Sequence, residues 1–292
     1  MNKNATTYAP GAKTHKDENF PVASHIIKKA YRGAILAYYN FARASDDVSD
    51  HPTLSASEKI AQLNAFEESL LGKHTDIAVA VALRDECIKR GISLKHGQDL
   101  LTAFRRDAGK LRYENWEELL DYCLYSAAPV GRFVLDVHGE NASTWHASDA
   151  LCSALQIINH VQDCKADLAR FDRVYMPLDM LARHDASIAD IGAEKSSAAL
   201  RQCLREVVEK TEAMLAPRAL SSQVRDARLS AEVLCIERLA QRLCALLKLR
   251  DPLCEKVHLS KSQMLLIMMS AISSTCITRC FAFPSAPFQL KS

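Results

Sequence analysis

The sequence predicts an all-α fold, and three observations carry that expectation. Nine Gly and nine Pro occur in 292 residues, about half the usual shares of ~7% and ~5%, so few turn residues are available for hairpins. Pro52, Pro129, Pro177, Pro217, Pro252 and Pro284 bound five long Pro-free stretches, and helix interiors exclude proline. No segment alternates β-branched apolar residues at the period of two that marks a half-buried strand.

The elements follow in order. Residues 1–18, MNKNATTYAPGAKTHKDE, have no apolar core and read as a disordered tail, with neither a signal peptide nor a membrane anchor. Residues 19–278 read as one all-α domain, and 279–292 as a C-terminal tail. Residues 38–50 hold an apolar helical segment ending in acidic residues. Ser55 and Glu58 form a capping box ahead of Ile60, Leu63, Phe66 and Leu70 at helical spacing. Residues 77–83 alternate apolar residues with Ala and are read as helix. Leu151, Leu155, Ile158 and Val161 form the packed face of another helix. Leu200, Leu204, Val207 and Met214 mark a further one, as do Leu229, Val233, Ile236, Leu239 and Leu243. Residues 262–278 carry no charge between Lys261 and Arg279 but include several Ser and Thr. That stretch falls short of the ~20 apolar residues needed to span a bilayer. It reads as a buried or half-buried helix, with peripheral membrane contact as the alternative.

Composition narrows the function. The chain is 48% hydrophobic and 25% charged with a net charge of +2, which is globular and lacks the basic footprint of a nucleic-acid binder. Ten cysteines without a C-x-x-C pair suggest reduced thiols and a cytoplasmic protein. No G-x-S-x-G, H-E-x-x-H or Gly-rich nucleotide loop is found. His160 and Cys164 have zinc-ligand spacing, but two further ligands are lacking nearby.

Two segments depart from the ordinary surface-helix pattern. Asp46 and Asp50 are i,i+4, about 6 Å apart along a helix axis, with Arg43 one turn earlier. Asn159, Asp163 and Asp167 repeat at i, i+4 and i+8, with Gln156 one turn before. A single D-x-x-x-D is ordinarily a solvated face; two, each inside an apolar helix, point to chemistry. Oxygen ligands on two helices suit Mg²⁺, which takes one or two carboxylates plus substrate phosphate oxygens. Metal binding to a diphosphate stabilises the charge that develops as it departs. The pattern suggests metal-assisted ionisation of a diphosphate ester.

Residues 19–24 (NFPVAS), 41–50 (FARASDDVSD), 155–163 (LQIINHVQD) and 172–177 (DRVYMP) resemble the squalene and phytoene synthase family. Residues 126–132 (SAAPVGR), 250–253 (RDPL) and 257–261 (VHLSK) are most similar to its hopanoid-pathway branch. The resemblance runs from about Asn19 to Ser262. It implies an all-α isoprenoid-synthase fold in which two aspartate-rich helices face each other across a cavity mouth and bind Mg²⁺-diphosphate. By position, Asp46, Asp50, Asn159, Asp163 and Asp167 would be metal ligands, and Arg43 would hold diphosphate oxygens. Lys110, Arg112 and Arg173 would assist, although a solvated role is equally open for the first two. Phe20, Tyr38, Tyr122 and Tyr125 would be cavity-wall residues facing a carbocation, or ordinary core; Tyr125 is the candidate for placing water. The implied reaction converts presqualene diphosphate, supplied by an upstream synthase, into hydroxysqualene and diphosphate without a reductant, a carbon–oxygen lyase activity. Two alternatives stay open: head-to-head condensation of farnesyl or geranylgeranyl diphosphate, and a non-catalytic binding or assembly role. The resemblance departs at Ala128, where that branch often has Asn, and at Cys164–Ala166 within the second acidic set. A lipophilic substrate further implies peripheral contact with the inner face of the cell membrane.

Overall fold

The computed structural model describes residues 28–215 and 219–281. Seven helices build the first part: α1 (Lys29–Ser49), α2 (Ala56–Leu70), α3 (Ala78–Arg90), α4 (Lys95–Asp107), α5 (Trp116–Ser126), α6 (Ala128–Val137) and the long α7 (Trp145–Phe171). The short α8 (Leu178–Arg183) and α9 (Ile188–Ile191) lead to α10 (Ala198–Leu215). Then come α11 (Leu220–Gln223), α12 (Ala227–Leu249) and α13 (Lys261–Phe281). The fold is all-α; among the described residues the β pairing is one isolated parallel bridge between Arg112 and Val174. The 1–18 tail, the NFPVAS segment and Phe20 lie outside the described residues.

Local chemistry sets the helix ends. Ser55 and Glu58 make the expected reciprocal cap of α2. Asn115 caps α5 through the Glu118 N–H, and Asp226 accepts from the N–H groups of Arg228 and Leu229 at the start of α12. Gly91 ends α3 at φ +66°, the left-handed conformation that glycine adopts without a Cβ penalty. Residues 77–83 are helical as expected: Ile77 is the N-cap of α3, and Ala80 and Leu83 are buried.

Two cores flank the site. The first gathers Phe41 of α1, Leu63 and Leu70 of α2, Leu83 of α3, Leu101 of α4 and Phe133 of α6. The second joins Leu119 and Tyr122 of α5, Ile157 and Val161 of α7, Leu204 and Val207 of α10 and Leu243 of α12. Ala127 separates α5 from α6 with φ −123° and ψ −45°, and Pro129 starts the new helix where its missing N–H is harmless. The result is a bend between two helices that both face the cavity.

The last helix is different. α13 packs on α12, where the guanidinium of Arg238 donates to the hydroxyls of Ser270 and Ser274. Ala271 and Thr275 are buried beneath it, whereas Leu265, Leu266, Met269, Ile272 and Ile277 are exposed. Among the described residues no helix is long and apolar enough to cross a membrane. The nine cysteines with described side chains are unpaired thiols, and burial pushes that of Cys164 up to about 12.

Candidate active site

A cavity of about 370 Å³ opens between α1, α4, α5, α6 and α7. Helix α1 turns Tyr39, Ala42, Arg43, Asp46 and Asp50 toward it, a stripe of three- and four-residue steps along one face. Helix α7 contributes Gln156, Asn159, His160, Asp163 and Asp167 in the same way. The two acidic sets, far apart in sequence, therefore line one cavity.

Arg43 is the counter-charge within α1, donating to Asp46 at 2.7 Å and Asp47 at 2.6 Å. Arg173, just beyond α7, is buried and ties three segments together. Its guanidinium donates to the Asp50 carboxylate at 2.6 Å and to the carbonyls of Ser49 and Asp107 at 3.1 Å. Asp107 ends α4 and accepts from the hydroxyls of Tyr122 at 2.8 Å and Tyr175 at 3.3 Å. The imidazole of His160 stacks on the Tyr175 ring, centroids 3.5 Å apart. It contacts the Gln156 amide at 3.0 Å and lies 3.7 Å from Asp167.

The electrostatics follow from crowding. Burial in the wall and the neighbouring Asp50 carboxylate push Asp46 up to about 7, against Arg43, although a third of its side chain stays open to the cavity. Burial pushes Asp107 up to about 6, opposed by Arg173 and the Tyr122 hydroxyl. Burial and then Asp107 hold the Tyr122 phenol well above its ordinary range, so it remains a donor. A surplus of carboxylates in a half-enclosed space is a site that a cation would stabilise.

The donor set fits Mg²⁺. It is all oxygen, and the Asn159 side-chain oxygen is buried without a hydrogen-bond partner among the described residues, the state expected of a ligand waiting for its ion. Among the described residues no three carboxylate, imidazole or thiol groups converge to hold an ion by themselves.

Other residues singled out from the sequence fall elsewhere. Lys110 is paired with Glu118 and sits over the Tyr113 ring at 5.3 Å. Arg112 is engaged by the carboxylate and carbonyl of Asp172. Neither lines the cavity; each meets a carboxylate outside it. Tyr125 is also outside the lining; its ring carries the Arg106 guanidinium at 4.4 Å. Tyr38 points into the core, stacked on Phe133 at 4.2 Å with its hydroxyl donating to the His96 carbonyl, and its neighbour Tyr39 lines the cavity instead. Sequence reasoning missed Asp107, Tyr175 and Tyr39 and gave His160 no role at the site. Asp107 left a readable signal: a carboxylate continuing the face of Leu100 and Phe104 at helical spacing.

An all-helical bundle with two carboxylate sets at one cavity defines the isoprenoid-synthase helical fold. The chain belongs to the squalene/phytoene synthase family, whose model matches residues 13–263. It is 51% identical over 268 residues to a hydroxysqualene synthase of Sinorhizobium fredii, covering 91% of this chain and 92% of that protein. The hydroxysqualene synthase of Rhodopseudomonas palustris is 48% identical, with 92% of each chain covered. The crystal structure of squalene synthase HpnC from Alicyclobacillus acidocaldarius superposes with a TM-score of 0.71 at 32% identity, over 80% of this chain and 89% of that one.

Proposed function

We propose that this protein converts presqualene diphosphate into hydroxysqualene and diphosphate. The observation that carries the reading is the pair of acidic sets on α1 and α7 lining one cavity whose other walls include Leu100, Phe104 and Val130. Similarity to two proteins named hydroxysqualene synthase, at 51% and 48% identity over nine-tenths of the chain, supports the product.

Asp46, Asp50, Asn159, Asp163 and Asp167 would hold Mg²⁺. When bound, it would neutralise the diphosphate and stabilise the charge gathering on it as the carbon–oxygen bond breaks. Arg43 and Arg173 orient the diphosphate end, their planar forks already fixed by Asp46, Asp47 and Asp50. The apolar wall receives the hydrocarbon and keeps bulk water from the cation. Tyr122 and Tyr175 line the cavity, and aromatic rings attract positive charge. Asp107 fixes those rings through their hydroxyls. An upstream enzyme that joins two farnesyl units would supply the substrate. The exposed apolar side chains of Leu265, Leu266 and Met269 on α13 are a candidate contact with the lipid in which that substrate dissolves.

The test is a product assay with purified protein and Mg²⁺, without reductant, on presqualene diphosphate and separately on farnesyl diphosphate. Hydroxysqualene from the first alone is expected, with Asp46→Ala and Asp163→Ala each lowering the rate by about 10²–10³-fold or more. A thirty-carbon product from farnesyl diphosphate would make the protein a condensing synthase. Turnover of neither would sink both readings.

A further inference from the structure

The cavity changes character along its length. Asp50, Asp107, Asp167 and Arg173 form its charged part, while Phe104 and Leu100 on α4 lie one and two turns back from Asp107. On α1, Ala42 and Tyr39 likewise precede Arg43 and Asp46. On α5, Ser126 follows Tyr122 by one turn, and Val130 continues the wall beyond the bend at Ala127.

Ser126 is therefore a hydroxyl set beside apolar residues. The hydroxyls of Tyr122 and Tyr175 are both committed to Asp107, and the Gln156 amide contacts His160. The Ser126 Oγ is buried and has no hydrogen-bond partner among the described residues. A hydroxyl left that way is costly and is relieved by a guest that hydrogen-bonds to it. A water molecule keeps its place beside apolar walls only where polar atoms hold it.

Resting on the function proposed above, we propose that the Ser126 hydroxyl places the water that captures the carbocation, and so decides that the product is an alcohol. The carbon–oxygen bond to diphosphate breaks with both electrons leaving on the diphosphate oxygen. After the skeleton rearranges, the water oxygen donates a lone pair to the cationic carbon. The surplus proton of that oxygen ends on the released diphosphate. Ser126 accepts a hydrogen bond from the water and turns a lone pair toward the carbon, without gaining or losing a proton overall. Where the water is not held, the cation loses a proton to diphosphate and a hydrocarbon forms.

The experiment measures diphosphate release and the alcohol share of thirty-carbon products for wild type, Ser126→Ala, Ser126→Val and Ser126→Thr, with thermal melts to confirm folding. Ser126→Ala and Ser126→Val should release diphosphate at close to the wild-type rate. Their alcohol-to-hydrocarbon ratio should fall about fivefold or more, the weight of one hydrogen bond. Ser126→Thr, which keeps the hydroxyl, should keep the alcohol. An unchanged ratio in Ala and Val overturns the proposal. So does a parallel loss of release and alcohol at constant ratio, or a loss in Thr equal to that in Ala, since either marks a packing role. If wild type makes no hydroxysqualene, the functional reading falls and this one with it; hydroxysqualene from wild type and Ser126→Ala alike overturns this one alone.

Discussion

Arg173 concentrates more of the site's order than any single aspartate, since one side chain, 8% exposed, ties Asp50, the end of α1 and the end of α4. Removing one partner of a buried ion pair costs about 3–5 kcal/mol, so Arg173→Ala should lower the unfolding free energy measured by urea titration by about that amount. Arg173→Lys should recover only part, because an ammonium cannot reproduce the planar fork. A second ionic anchor lies away from the cavity. Asp251 accepts from the Ser196 N–H at 2.9 Å, the Ser196 hydroxyl at 2.6 Å and the Leu253 N–H at 3.0 Å. Burial would raise its carboxyl, but these donors hold it below the ordinary range. A depressed folded pKa stabilises above the unfolded value near 3.9 and loses that effect as pH falls through the folded one. Asp251→Asn should therefore melt a few degrees below wild type at pH 6, and the gap should narrow as the pH falls below the unfolded value and through the folded one. At this scale spacing is legible: i,i+4 steps on α1 and α7 turn Asp46, Asp50, Asn159, Asp163 and Asp167 toward one cavity. The direction in which a side chain points is not legible. Lys110 and Arg112 are charged in the sequence, but only the fold reveals that Glu118 and Asp172 neutralise them.

Among elements, the contact of α6 with α7 is the tightest constraint on the site. A Cβ on Gly131 would stand 2.3 Å from the Ser148 Oγ and 2.5 Å from the Cys152 Sγ. Such overpacking costs about 1–3 kcal/mol. Gly131→Ala should lower the melting temperature by several degrees, and adding Ser148→Ala with Cys152→Ala should restore most of the loss. The glycine lets α6 lie against the helix that carries the second acidic set, so its effect should reach activity as well. Helix existence was legible because proline positions and apolar periodicity are local properties. The bend at Ala127 was not legible, although Pro129 hinted at a fresh start, because its purpose is tertiary: both α5 and α6 turn residues into one cavity. Tyr38 and Tyr39 make the same point, since adjacent positions on a helix differ by 100° and only the packing of Phe133 selects which faces the core.

For the whole molecule, two cores hold the cavity between them while α13 hangs on α12 with its apolar residues outward. Residues 262–278 carry no charge, and a row of exposed large apolar side chains is unusual in contact with water, which motivates the lipid contact proposed for the helix. Leu265→Glu with Met269→Glu should leave the melting curve nearly unchanged, because both side chains are exposed. The same pair should abolish flotation with anionic vesicles; wild-type protein that stays wholly in the soluble fraction would rule the contact out. The cross-link made by Arg173 also bears on how the molecule comes into being. Asp50 and Arg173 are 123 positions apart, and ribosomes add ~5–20 residues per second, so the acidic end of α1 waits roughly 6–25 s for its clasp. Through that interval the nascent chain holds its first set of carboxylates with no opposite wall. The cavity is finished late in synthesis, and a chain truncated before α7 would carry Asp46, Asp50 and Asp107 but lack the wall that holds Asp163 and Asp167.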